Sequence, residues 1–258
     1  MKFFDTHAHY DWKEFDEDRQ ELFVKLKEVL CGLVNIGINI ESIKKVERFA
    51  KENDFMFFSV GVHPLEVEKQ VDLNKIEEIA FESKKQKDSK LVAIGETGLD
   101  YHFDISRDLQ EKYFLRQIEL ANKLELPIVV HSRESHEDVL KILKNNPVKK
   151  GGIMHCYSGN FELAQKFVDL GFYLGIGGPV TKNKTVQEVV RKMPLEKLVI
   201  ETDAPVLPPL PFEKTDRNDS LKLGIIVEKI AEIKNVSVEE VSKITTANAK
   251  KIYGMERK

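Results

Sequence analysis

Apolar, β-rich runs alternate along this chain with segments whose apolar residues recur at helical spacing. The runs cover residues 2–7, 30–38, 55–62, 91–96, 128–131, 152–155, 172–176 and 198–201. They are near-continuous rather than alternating, as strands of a parallel sheet covered on both faces should be. Between them, Phe114, Ile118 and Ala121 recur at i, i+4 and i+7, and Leu223, Ile226, Val227 and Ile230 form a second stripe. Asn160 stands as an N-cap before Phe161, Ser237 and Glu240 form a capping-box pattern, and Gly254 marks the end of the last helix. Strand–helix alternation repeated eight times predicts an α/β fold of one kind, a single (β/α)8 TIM barrel filling residues 1–258 as one domain. An open doubly wound sheet is the runner-up, disfavoured because no Gly-rich fingerprint follows the first strand. The Pro-rich piece 205–211 and the charged stretch after it, up to Asp219, read as a loop of loose structure.

In such a barrel the chemistry sits at the C-terminal ends of the strands. Those ends carry His7 and His9, then His63, Glu96, His131, His155 and Asp203. Side chains two apart on a strand point the same way, so His7 and His9 project together while Ala8 turns aside. Two imidazoles fixed that way make half of a metal site. Five of the seven histidines fall on predicted strand ends, which random scatter over loops and helices does not produce.

The motifs are Asp5-Thr6-His7-Ala8-His9, Gly61-Val62-His63-Pro64, Gly95-Glu96-Thr97-Gly98-Leu99-Asp100-Tyr101, His131-Ser132-Arg133, His155-Cys156-Tyr157-Ser158-Gly159 and Glu201-Thr202-Asp203-Ala204-Pro205. Carrying them over nearly its whole length, the chain resembles the TatD-type metal-dependent hydrolases, a branch of the amidohydrolase-like barrels. The resemblance implies two divalent cations per subunit, Zn²⁺, Mn²⁺ or Mg²⁺. His7, His9 and Asp203 would hold one, His131 and His155 the other, with Glu96 bridging them. Two cations about 3.5–4 Å apart repel, which is why a shared carboxylate is wanted between them. Glu96 and Asp203 are then the catalytic carboxylates. A hydroxide between the cations is the expected nucleophile, and Asp203 orients it and takes its proton. His63 and Arg133 would grip a phosphate, Arg133 with its planar fork, unless an ion pair to Glu134 or Glu96 already occupies it. Glu201 and Asp5 are candidates for second-layer acceptors behind ligand histidines, or for plain buried ion pairs. Cys156 should alternate away from the metals and pack. His102 and His136 read as surface residues.

The chain departs from the family pattern after the eighth strand. Arg217 and Asn218 match it, but Asp219 and Ser220 do not, so the anchoring of that loop does not follow from the resemblance. Leu65 replaces a histidine often found after His-Pro.

The implied activity is a phosphodiesterase, a deoxyribonuclease working exonucleolytically on single-stranded DNA ends, with RNA as a further substrate. The alternatives are an esterase or amidase on the same site, such as a D-aminoacyl-tRNA deacylase, and a non-catalytic metal-binding protein. Composition narrows this further. A net charge of −3 argues against wide wrapping of duplex nucleic acid but leaves room for holding a few phosphates. The clusters Lys149-Lys150, Lys182/Lys184 and Lys250-Lys251 read as solvated faces rather than nucleic-acid tracks. Cys31 and Cys156 are the only cysteines, so no disulfide framework is expected. No apolar run is long enough to span a bilayer and no signal peptide is evident, which points to a cytoplasmic protein without membrane contact or an obligate protein partner.

Overall fold

A computed structural model describes residues 1–255. The strands β1 (Phe3–Ala8), β2 (Leu30–Asn35), β3 (Met56–Val60), β4 (Leu91–Asp100), β5 (Ile128–Arg133), β6 (Gly152–Met154), β7 (Phe172–Ile176) and β8 (Leu198–Ile200) pair in sequence order, all parallel. Helices α1 (Arg19–Val29), α2 (Ile40–Glu52), α3 (Leu73–Lys85), α4 (Arg107–Leu124), α5 (His136–Asn145), α6 (Phe161–Asp169), α7 (Lys184–Lys192) and α8 (Leu223–Lys234) follow the strands one by one. A ninth, α9 (Val238–Ile252), packs on α8, β8 and β1. The ring closes where Ala8 bridges Ala204: Asp203 N–H donates to His7 O (2.9 Å) and His9 N–H to Ala204 O (2.7 Å). This is the TIM barrel that the alternating pattern predicts.

Local chemistry starts and stops the helices where the sequence says it should. Asn160 Oδ1 accepts from Leu163 N–H (2.9 Å) and Ser237 Oγ from Glu240 N–H (3.1 Å), each satisfying an otherwise orphan donor. Gly254 takes φ +66° just past α9, a backbone region that costs glycine nothing.

The core has two layers. A large one lies between strands and helices. A smaller one draws Phe4, Val34, Val92, Val129, Ile153 and Val199 from six different strands and fills the barrel interior with Tyr253. Phe4 and His7 are three apart, so strict alternation would send them to opposite faces. A register shift between Asp5 and Ala8 intervenes, and β4 carries another between Ile94 and Thr97, just at Glu96. Such irregularities re-aim side chains at barrel rims.

β4 differs from expectation. The apolar run ends near Glu96, but the strand continues to Asp100 because Gly98, Leu99 and Asp100 pair with His131, Ser132 and Arg133. Gly98 permits it: at φ +139°, any Cβ there would collide with the His131 carbonyl. The loop after β8 is also better held than its composition suggests. Asn218 Nδ2 donates to Thr202 O (2.8 Å) and Val206 O (2.9 Å), and Arg217 forks onto Asp18 (2.7 and 2.6 Å). Ser220, one of the two departures, donates its hydroxyl to Asp5 Oδ2 (2.6 Å) and its N–H to the Tyr10 hydroxyl (2.8 Å). Asp219 accepts from Leu221 N–H (2.9 Å).

Candidate metal centre

His7, His9, Glu96, His131, His155 and Asp203 converge at the C-terminal mouth of the barrel. Glu96, 2% exposed, lies between them. Its Oε2 faces His7 Nε2 (3.2 Å) and His9 Nε2 (3.6 Å). Its Oε1 faces His131 Nδ1 (2.9 Å), His63 Nε2 (3.6 Å) and His155 Nε2 (3.7 Å). Asp203 Oδ1 stands 3.5 Å from His9 Nε2 and 3.7 Å from both His7 Nε2 and His155 Nε2. One carboxylate thus turns an oxygen to each of two nitrogen groups, and the second reaches across both.

The residues behind these groups decide which nitrogen is presented. Asp100 Oδ2 sits 3.0 Å from His131 Nε2, turning Nδ1 toward Glu96. Glu201 Oε1 lies 2.9 Å from His155 Nδ1 as a charge contact without hydrogen-bond alignment, with His155 Nε2 facing inward. This carboxylate–imidazole arrangement fixes tautomer and ring orientation. His7 and His9 have no ion-pair contact at Nδ1; like His155 Nδ1, these atoms are buried without a hydrogen-bond partner among the described residues. Stacking holds them instead, His7 on His155 (centroids 3.5 Å apart) and His9 on Trp12 (4.9 Å).

Burial alone would raise both carboxyls. For Glu96 the surrounding histidines, His7, His63 and His155 above all, win and hold it well below the usual range. For Asp203, His155 and the bond to His9 do the same. Burial pulls His155 down, but Glu201, Asp203 and Glu96 outweigh it and push it up to about 10. Burial and the neighbouring His155 lower His7, leaving it neutral. Nitrogen and carboxylate oxygen atoms converging on a buried space, with the carboxylates ionised, are a donor set that suits a borderline divalent cation. The residues therefore fit a metal.

The other predicted residues fall as follows. His63 Nδ1 accepts from Leu65 N–H (3.1 Å), so its neutral form carries the proton on Nε2, aimed at the site as a donor. Arg133 is exposed, its guanidinium 5.5 Å over the Phe103 ring. Glu134, its suggested partner, pairs with exposed His102 instead (2.8 Å). Asp5 lies beneath the site and is not paired with an imidazole. It accepts from Thr202 N–H (3.1 Å) and Oγ1–H (2.7 Å), from Ser220 Oγ–H and from His7 N–H (3.2 Å), fastening β1 to the segment after β8. Burial lifts its carboxyl to about 7 despite these bonds.

Two expectations need correction. Cys156 does not alternate away. β6 stops at Met154, and Cys156 lies beyond it at φ +43°, its N–H on Glu201 Oε1 (2.6 Å). Its thiol comes within 4.8 Å of ligand atoms of His155 and Asp203. Burial, then the charges of Asp203 and Glu201, push that thiol well above its ordinary value. His136 is half-buried, edge-on to Tyr157 (5.7 Å), rather than a plain surface residue. Sequence reasoning assigned no role to Asp100, although it stands within a quoted motif four residues past Glu96, or to Trp12, three past His9.

An eight-stranded parallel barrel with a histidine–carboxylate cluster at its C-terminal mouth defines the class of metal-dependent barrel hydrolases. Within it the chain belongs to the TatD-related DNase family, whose profile it matches over residues 4–254. It is 40% identical over 255 residues, 97% of this chain and 98% of the relative, to the uncharacterised metal-dependent hydrolase YabD of Bacillus subtilis. Human deoxyribonuclease TATDN3 is 30% identical over 261 residues, 96% of this chain and 93% of that one. The crystal structure of YjjV, a TatD homologue from Escherichia coli, superposes with a TM-score of 0.88 at 25% identity, covering 98% of each chain. The protein is a TatD-family metal-dependent hydrolase. No helix among the described residues is long and apolar enough to cross a membrane.

Proposed function

We propose that this hydrolase is a binuclear phosphodiesterase, a deoxyribonuclease that removes nucleotides from single-stranded ends. The observation that carries the reading is Glu96, whose two carboxylate oxygens face separate nitrogen groups on either side. His7, His9 and Asp203 would hold one divalent cation, His131 and His155 the other, and Glu96 would touch both; Zn²⁺, Mn²⁺ and Mg²⁺ are the candidates. Bound there, the cations supply Lewis acidity toward a phosphoryl oxygen and bring the pKa of water down toward ~7.

The remaining work falls to the chain's own groups. Asp203, ionised at neutral pH, accepts at Oδ1 the proton of the attacking water. His63 donates Nε2–H to a non-bridging phosphate oxygen. Arg133 brings a guanidinium that no carboxylate has claimed among the described residues, and it meets a phosphate with two parallel donors. With a net charge of −3 and few cations at the mouth, the site suits a strand end rather than a long duplex tract. The human relative named a deoxyribonuclease supports the same substrate class.

The test is a panel of end-labelled single-stranded and duplex DNA, RNA and D-aminoacyl-tRNA, each with Zn²⁺, Mn²⁺ or Mg²⁺. Stepwise shortening of single-stranded DNA from one end is expected. Intact oligonucleotides alongside a hydrolysed aminoacyl ester would move the reading to carbonyl chemistry.

A further inference from the structure

Beside the metal centre lies a second concavity of about 320 Å³, lined by Asp11, Trp12, Lys13, Asn39, Ser42 and Lys45. That is near the lower end of the size range for small-molecule sites. Trp12 joins the two places. Its indole stacks on the His9 ring at 4.9 Å and 26°, and it also borders the concavity. Whatever sits against Trp12 is therefore one ring away from the metal-facing histidines.

The polar groups of the cavity point to what it takes. Asp11 is 7% exposed, and its Oδ1 is buried with no hydrogen-bond partner. Buried acceptors are nearly always satisfied, so an N–H from outside the chain is wanted there. Asn39 is already engaged, through Oδ1 by Ser42 N–H (3.0 Å) and through Nδ2 on Glu66 (3.0 Å). Lys45 Nζ lies 3.0 Å from Glu41, and the lining sets three carboxyls, Asp11, Glu14 and Glu41, against two lysines, Lys13 and Lys45, so the cavity has no surplus of positive charge. An anion finds little there. A flat, uncharged ring with an N–H on its edge finds a stacking surface and an acceptor.

We propose that this cavity is a nucleobase subsite. It receives the base adjoining the phosphate held at the metal centre, stacks it on Trp12 and takes an N–H from its edge at Asp11 Oδ1. The inference rests on the deoxyribonuclease reading and deepens it, because it makes hydrolysis depend on a base at one defined position.

Trp12 is the only tryptophan in the chain and borders the cavity, so its fluorescence reports on this side of the site, and loading the metal beforehand holds the His9 face constant. The protein is loaded with Zn²⁺ and titrated with a single-stranded tetranucleotide carrying phosphorothioate linkages. The titration is repeated with versions abasic at each position in turn. One abasic position should abolish the quenching and weaken binding about 5- to 150-fold, the usual worth of a base stacked on an aromatic ring. In Trp12→Leu, followed by anisotropy of a labelled strand, that penalty should vanish, while Trp12→Phe should keep part of it. A purely structural role for Trp12 would leave the position-specific penalty intact. An unchanged penalty in Trp12→Leu, or quenching indifferent to every abasic position, overturns the subsite while leaving the nuclease reading standing. Failure to bind or cleave any oligonucleotide overturns the nuclease reading, and the subsite with it.

Discussion

The two sides of the Glu96 carboxylate are built differently. On one side His131 and His155 each lean on a carboxylate, Asp100 and Glu201. On the other, no carboxylate makes an ion-pair contact with His7 or His9 at Nδ1, and the rings are kept in place by stacking on His155 and Trp12. Electrostatics fixes the first pair; packing and barrel closure fix the second. Backing carboxylates raise ligand basicity as well as fixing orientation. The side carrying His131 and His155 should therefore hold a cation more tightly, and the side carrying His7 and His9 should lose its cation first.

The largest effect expected comes from removing what the two sides share. Glu96→Ala should empty both, whereas His131→Ala, which leaves the His155 ring stacked on His7, should spare the His7/His9 side. Elemental analysis of the purified variants decides this, and full occupancy in Glu96→Ala sinks the bridging role. Next comes Asp203, which reaches histidines of both sides. Asp203→Asn keeps a carbonyl oxygen as a ligand but cannot take a proton. Turnover should fall by roughly 10²–10⁴-fold. If the rate returns to near wild type once added metal saturates the site, Asp203 is a ligand only.

Glu201→Gln and Asp100→Asn sharpen the comparison directly. Each should weaken cation binding on its own side by about 10–100-fold and leave the His7/His9 side unmoved. Equal loss on both sides would mean that the backing does not distinguish them. Acidity gives a fourth check. His131 and His155 are both raised by their carboxylates, His155 to about 10, whereas on the other side only His9 is raised and His7 is lowered, so a cation on the His131/His155 side must displace more protons. Since the proton competes below that value, affinity on the His131/His155 side should rise with pH from ~7 to ~9. Calorimetry in two buffers of different ionisation heat measures the proton released, and equal release from both sides breaks the distinction. The smallest effect belongs to Arg133 at the end of β5. Arg133→Ala should reduce the salt dependence of single-strand binding by one phosphate, a slope change of about 0.7. No change in slope, affinity or rate would make it a structural residue.

Much of this was legible in the residues. Eight apolar runs carry the barrel, and the metal-facing positions are visible because His7 and His9 share a strand face and the other groups end later runs. The rest depends on contacts that no local pattern encodes. Asp100 lies behind His131 only because β4 overruns its apolar stretch to pair with β5, which Gly98 allows. Cys156 faces inward because β6 stops two residues short of it, so alternation has no strand to act on. Ser220 breaks the family pattern in sequence and yet ties the loop to Asp5 and Tyr10, a partnership across more than two hundred positions.

The bond from Thr202 to Asp5 spans 197 residues, and His7 meets Asp203 across the same seam. During synthesis His7 and His9 are made well before Asp203, their carboxylate partner. Domains generally mature as units during synthesis, at about 5–20 residues per second. A nascent chain that has not yet released β8 from the ribosome has no closed ring and no complete cradle.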